Sequence, residues 1–190
     1  FAALWGVPYL QVKFNVSVLV ASGMCSMIWI GIGLGSPLLG FLSDKFCNRR
    51  LALGISALMG LFATFILLYD QHLTLASAYV VLFVFGLGAG GQSVSFAVVK
   101  DYNPPQLVGT ASGFNNLSVL IGGSLFQPLV GVFLQHSHDW QVINGVHVYG
   151  INAYNYALSI MPLCYLFSLL MVIFGLKESH PSHKLELKIA

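Results

Sequence analysis

From Asn15 to Ser43 the chain runs without a single Asp, Glu, Lys, Arg or His, and Leu51 to Tyr69 does the same. Crossing a bilayer takes about 20 apolar residues in a helix, so each run is long enough for one span. The whole chain repeats this pattern. Of its 190 residues, 57% are hydrophobic and only 7% charged, with a mean hydropathy of +0.82. A soluble domain carries about 25% charged residues to cover its surface, which this chain cannot supply. In hydrocarbon every backbone N–H and C=O needs an internal partner. Long uniform apolar runs satisfy that as helices, whereas barrel strands would alternate polar and apolar residues. The sequence therefore predicts an all-α, multi-pass membrane protein. Its spans fall near 16–42, 51–69, 75–99, 107–135 and 153–176, preceded by a partial span at 1–11, with a tail over 177–190.

The charges between spans fix an orientation. Lys45, Arg49 and Arg50 share one loop, Lys100 lies two spans later, and Lys177, Lys184 and Lys188 fall in the tail. If the spans alternate, all of these share one side, and the other side has only Lys13. Lys and Arg concentrate in cytoplasmic loops, so the tail is expected to be cytoplasmic and the segments Asp70–His72 and His136–Asn152 external. Cys25, Cys47 and Cys164 are odd in number and lie in or beside different spans. They read as small apolar residues rather than a disulfide framework. No basic face outside the loops suits nucleic acid, and no catalytic constellation points to an enzyme. The chain opens on Phe1 and reads as a fragment that begins inside a helix, with Trp5 and Tyr9 as interfacial anchors.

The loop Gly40-Phe-Leu-Ser-Asp44-Lys45-Phe-Cys-Asn-Arg49-Arg50 resembles the signature hairpin of the major facilitator superfamily, roughly G-x-L-[SA]-D-[RK]-x-G-R-[RK]. It departs at Cys47, where that family has glycine, and at Asn48, where arginine is usual. Asn48 is expected to supply the left-handed turn residue instead. Three further stretches are similar to that family in the expected order: Leu4-Trp-Gly-Val-Pro-Tyr-Leu10, Asn103-Pro-Pro with Gly109-Thr-Ala-Ser-Gly113-Phe-Asn-Asn116, and Leu176-Lys-Glu-Ser179. The resemblance implies a six-helix half-bundle of the facilitator fold, corresponding to family helices 7 to 12, with the first helix truncated. It further implies a gating loop of Gly40, Asp44, Lys45, Arg49 and Arg50, in which Gly40 permits close helix approach. Asp44 would meet a helix N-terminus in the missing N-terminal half, or turn to Arg49 or Arg50 without it. An ordinary positive-inside turn is the plainer alternative.

Polar residues inside the spans mark the candidate substrate cavity. Ser22, Ser26, Trp29, Gly33 and Ser36 recur three and four apart, so they form one helical stripe. Gln92, Asn115 and Asn116 stand at nearly one depth on the spans matching family helices 10 and 11. Their carboxamides can bond a solute's hydroxyls or carboxylates, or each other and nearby backbone. With Trp5 and Tyr9 these residues make up the expected cavity. No ionisable residue lies in the middle of a complete span, so if transport is proton-coupled the titrating carboxylate is expected in the missing half. The small-residue pairs Gly31/Gly35, Gly86/Gly90 and Gly109/Gly113 suit close helix contact. His136, His138, Asp139, His147 and His72 could be assembled into an outer metal site, but their spacing reads as exposed loop histidines, and no cofactor or metal is expected. Asn15-Val-Ser17 matches a glycosylation sequon without a context that would use it.

The resemblance implies a secondary active transporter, a symporter for a small polar organic solute such as an organic acid or sugar acid, in a bacterial inner (plasma) membrane. A non-transporting receptor or assembly subunit of the same fold is the alternative. Expected partners are the solute, membrane lipid and the missing half, or a second copy of the fragment as a homodimer covering the exposed polar face.

Overall fold

A computed structural model describes residues 1–137, 139–143 and 146–181, without the side chains of Ile143, Val146 and His147. Lys184, Lys188 and His138 lie outside the described residues. Helices dominate: α1 Gly6–Phe14, α2 Val18–Lys45, α3 Arg49–Tyr69, α4 Leu75–Ala89, α5 Gln92–Tyr102, α6 Val108–His136, α7 Ile151–Leu158 and α8 Ile160–Leu170, which runs into a π turn at Met171–Gly175. Taken with their continuations, five segments are long and apolar enough to cross a membrane: Val18–Lys45, Arg49–Tyr69, Leu75–Tyr102, Val108–His136 and Ile151–Gly175.

The helix starts are written locally. Ser17 caps α2 by accepting from the Val20 N–H at 3.4 Å, and Thr74 and Ser77 form a reciprocal capping box on α4. Each cap satisfies amides that have no partner in the first turn.

Lipid gives apolar helices little reason to associate, so close van der Waals contact holds them together. Here the glycine pairs of α2 and α4 meet each other. A Cβ on Gly31 would strike the Phe83 carbonyl and the backbone of Gly86 and Leu87, and one on Gly35 would strike Leu87. In return, Gly86 lies against Ile28 and Gly90 against Gly35 and Ser36. The other side of α4 meets α3, where Gly88 faces Ser56, Met59 and Gly60, and the Ser56 hydroxyl donates to the Gly88 carbonyl at 2.6 Å. Helix α4 is thus the centre of a sandwich between α2 and α3, with α8 packed on α3 and its Tyr165 ring meeting Phe85 of α4 edge-on at 6.0 Å. Gly109 and Gly113 differ: among the described residues nothing lies within 4 Å of a Cβ placed on either. Gly40 is likewise open among the described residues, and the close approach along α2 is made by Gly31 and Gly35.

Two expected continuous spans are interrupted. Between α4 and α5 the ladder tightens to i→i+3 bonds, Gly91 N–H to Gly88, Ser93 N–H to Gly90 and Val94 N–H to Gly91, at 3.0–3.1 Å. Four glycines between 86 and 91 make that stretch easy to bend. Between α7 and α8 the cause is Pro162, which offers no N–H to the Leu158 carbonyl. Ser159 sits at the joint, where its hydroxyl donates to the Asn155 carbonyl at 2.6 Å.

The segment read as an external loop contains a β-hairpin, β1 Trp140–Ile143 pairing antiparallel with β2 Val146–Tyr149. Alternating β-branched and aromatic residues favour strands. Asp139 closes the hairpin base, its carbonyl accepting from Gly150 N–H at 2.8 Å and its carboxylate from Asn152 N–H at 3.2 Å.

Contacts define two ends. Arg49, Asp101 and Glu178 meet at one. At the other, the Lys13 ammonium donates to the Leu67 and Asp70 carbonyls and the Tyr69 hydroxyl meets Ser159 at 2.8 Å.

The glycine contacts predict opposite outcomes for two residues of α2. In the full-length protein, Gly31→Ala should cost about 1–3 kcal/mol by overpacking and lower the thermal melting temperature. Gly23→Ala, whose Cβ would meet the Tyr79 hydroxyl at an ordinary 3.8 Å, should leave it unchanged or slightly raised. Equal melting temperatures for the two variants would refute the packing assignment.

Candidate functional site

Several of the polar residues within the spans are exposed. On α2 the residues Ala21, Met24, Cys25, Ile28, Gly31, Gly35 and Leu39 are buried, while Ser26, Trp29 and Gly33 lie on the exposed side. Trp29 is 61% exposed although it sits in the middle of a span. Gln92, at the start of α5, and Asn116, on α6, are exposed, and Asn115 is half-buried.

Hydrogen bonds join the three helices across this side. The Ser93 hydroxyl, with one hydrogen to give, lies between the Gly90 carbonyl at 2.9 Å and the Ser36 carbonyl of α2 at 3.1 Å. The Asn115 amide donates to Ser95 Oγ at 3.0 Å, and Ser95 Oγ donates to the Gln92 carbonyl at 2.7 Å. Among the described residues no hydrogen bond joins the Gln92 side chain to either asparagine. Ser95 is the missing member of the set: a serine at the depth of three carboxamides gave only a weak signal in sequence.

Trp5 and Tyr9 serve as fasteners rather than interfacial anchors. The Trp5 indole N–H donates to the Gln127 carbonyl at 3.1 Å, tying α1 to α6. Tyr9 is fully buried, donates to the Leu67 carbonyl at 2.7 Å and stacks edge-on against Phe1 and Tyr154. Because its ring is sealed in the core, Tyr9 does not reach the open side with Trp29.

The basic end is built around Arg49. Its Nη1 reaches Asp44 at 2.5 Å and Ser43 Oγ at 3.2 Å, and its Nε reaches Asp101 at 3.1 Å. The Arg49 and Asp101 side chains are 11% and 8% exposed, so this ion pair is largely desolvated; the Asp44 side chain is 67% exposed. Glu178 occupies the N-terminus of α3, its two oxygens accepting from the Arg49 and Arg50 N–H groups at 2.9 and 3.0 Å. A carboxylate there satisfies free amides and meets the positive end of the helix dipole. The Arg50 guanidinium bonds the Ile173 carbonyl, and the Lys45 ammonium lies 5.9 Å from the Phe41 ring centre.

Two details of this loop differ from expectation. Cys47 itself takes the left-handed conformation, with φ 49°, at the position where glycine was anticipated. Asn48 is extended and caps α3, accepting from Leu51 N–H at 2.7 Å. Asp101, next to Lys100 in sequence, pairs with Arg49.

The sequence profile of the Major Facilitator Superfamily matches residues 1–187. The chain belongs to the major facilitator superfamily. It is an integral, multi-pass membrane protein carrying part of the facilitator fold. It is also 28% identical over 142 residues to the arabinose-proton symporter of Bacillus subtilis (strain 168), an alignment covering 73% of this chain and 30% of that protein. The chain therefore spans well under half the length of this relative. In this facilitator chain, the two acids that organise the basic end, Asp101 and Glu178, come from a helix end and the tail rather than from the signature loop. Among the described residues no cluster of histidine, cysteine or acid could hold a metal.

Partial burial works to raise the Glu178 pKa, but the N–H groups of Arg50, His180, Arg49 and Ser179 outweigh it and hold the carboxyl below its usual value. A folded-state pKa below the unfolded one gives stability that is present above the unfolded value and lost as pH falls through the folded one. Glu178→Gln should therefore lower the melting temperature at neutral pH, and the gap from the unsubstituted protein should close as the pH drops below the ordinary glutamate range. A gap that persists unchanged in acid would show that the carboxylate charge has no such role.

Proposed function

We propose that this chain is the C-terminal half of a secondary transporter that moves a small, polar, sugar-like solute by alternating access. The observation that carries this reading is the contrast between the two sides of the bundle. The outer surface of α3 and α8 presents Phe62, Phe65, Leu163 and Phe167, each more than half exposed, as suits lipid. The exposed surfaces of α2, α5 and α6 add polar groups, Ser26, Gln92 and Asn116 with half-buried Asn115 and the Trp29 indole, among apolar side chains such as Leu34, Phe114 and Leu120. Exposed carboxamides in the hydrocarbon layer are costly unless they face water, a solute or another protein surface. An aromatic ring beside carboxamides and hydroxyls suits a polyhydroxylated molecule, and the likeness to an arabinose-proton symporter supports that class.

The other half of the transporter completes the cavity by covering this side. Coupling to a proton gradient then uses a carboxylate outside the spans described above. The basic end faces the cytoplasm of a bacterial inner membrane, and the loop of Gly40, Asp44, Lys45, Arg49 and Arg50 forms part of the cytoplasmic gate. Exposed Asp44 remains able to meet a helix end from the other half.

The full-length protein reconstituted in liposomes should accumulate a labelled aldose, tested across arabinose, xylose and galactose, when a proton gradient is imposed. Gln92→Ala, by removing one hydrogen bond worth about 0.5–1.5 kcal/mol, should raise KM roughly three- to tenfold. Absence of uptake for every aldose, or uptake indifferent to Gln92→Ala, would contradict the proposal.

A further inference from the structure

We infer that Ser95 is a positioning residue that turns the Asn115 carboxamide so that its oxygen, not its amide nitrogen, faces the solute. The cavity thereby selects neutral polyols over carboxylates. This inference rests on the transporter reading above and names the chemical class its site accepts.

A serine hydroxyl has one hydrogen to donate and two lone pairs to accept with. The Ser95 hydrogen is committed, because its oxygen lies 2.7 Å from the Gln92 backbone carbonyl, a group that can only accept. Toward Asn115, 3.0 Å away, Ser95 can then offer only lone pairs. A carboxamide presents either an NH2 or a carbonyl oxygen, and the two ends differ by a simple flip that the hydrogen-bond network must decide. Oxygen against the Ser95 lone pairs would be repulsive, whereas NH2 makes a hydrogen bond. The network therefore fixes Nδ2 toward Ser95.

The other end of the amide follows. Asn115 Oδ1 has no partner among the described residues and is not sealed from solvent. It is a fixed acceptor on the same side as exposed Gln92 and Asn116. A hydroxyl donates to such an oxygen. A carboxylate group has no hydrogen to give and meets it with like partial charge, so only an aldonate's hydroxyls suit this position and its carboxylate gains no bond there. The three-residue spacing from Gln92 to Ser95 along α5 is what makes the device possible, since it brings the serine hydroxyl back onto the Gln92 carbonyl.

The test measures dissociation constants of matched pairs for the full-length protein in detergent: arabinose and arabinonate, xylose and xylonate, galactose and galactonate. The unsubstituted protein should bind the aldose of at least one pair tenfold or more tightly than its aldonate. Ser95→Ala frees the carboxamide to flip, so this preference should collapse toward parity. Ser95→Thr retains the hydroxyl and should keep it. A purely structural serine would weaken both members of a pair together and leave their ratio alone. An unsubstituted protein that prefers the aldonates, or a Ser95→Ala protein with the aldose preference intact, overturns the inference. Failure of every aldose and aldonate to bind the unsubstituted protein instead overturns the transporter reading on which it stands.

Discussion

The close contact of α2 with α4 is the constraint on which the other positions depend. In lipid, apolar side chains gain little by touching each other rather than acyl tails, so helix association relies on close backbone approach and interhelical hydrogen bonds. Gly31 and Gly35 supply one surface, Gly86 and Gly90 the other, and backbone meets backbone at each. With α3 fitted against Gly88, helix α4 is fixed on two sides. That placement aims α5, which leaves α4 through the tightened turns at Gly90 and Gly91. Every feature of functional interest on α5 inherits its position from this seam. Ser93 reaches Ser36, Ser95 reaches Asn115, and Asp101 reaches Arg49.

The Arg49 cluster closes the same arrangement from the other end of α5. Burying a guanidinium and a carboxylate costs several kcal/mol per ion unless each is paired and its remaining groups are bonded. Arg49 meets this condition by bonding Asp101, Asp44 and Ser43, which lie on or beside different helices. Glu178 adds the tail by bonding the amides of Arg49 and Arg50. One arginine thus joins α2, α3 and α5, and the following acid draws in the end of the last span. Rearrangement of this end requires several charge-assisted bonds to break together, a property suited to an element with two discrete positions.

The fold was far more legible than the site. Span number and helical character follow from the charge-free runs alone, because the bilayer imposes one length and one kind of hydrogen bonding on them. Which glycines meet was not readable: Gly31, Gly86 and Gly109 all begin the same small-residue pattern, yet Gly109 meets nothing among the described residues. Uniform hydropathy hides the breaks at Gly90–Gly91 and Ser159, and the strands Trp140–Ile143 and Val146–Tyr149 are too short to stand out from a loop. Tyr9 looked like an interfacial aromatic because its partner, the Leu67 carbonyl, is distant in sequence. The stripe through Ser26 and Trp29 was visible as periodicity. Ser95, Asp101 and Glu178 were not singled out for their roles, since each depends on a partner distant in sequence.

Water accessibility across the bundle tests the central claim, that one side of this half-bundle lines an aqueous cavity and the other meets lipid. Single cysteines at Ser26, Trp29, Gln92 and Asn116 would be compared with single cysteines at Phe62, Phe65, Leu163 and Phe167. The background is a full-length protein lacking Cys25, Cys47 and Cys164, in native membranes treated with a membrane-impermeant thiol reagent from either face. The account predicts labelling of the first set and none of the second. Labelling at Phe62 and Leu163 with Gln92 and Asn116 protected would contradict it.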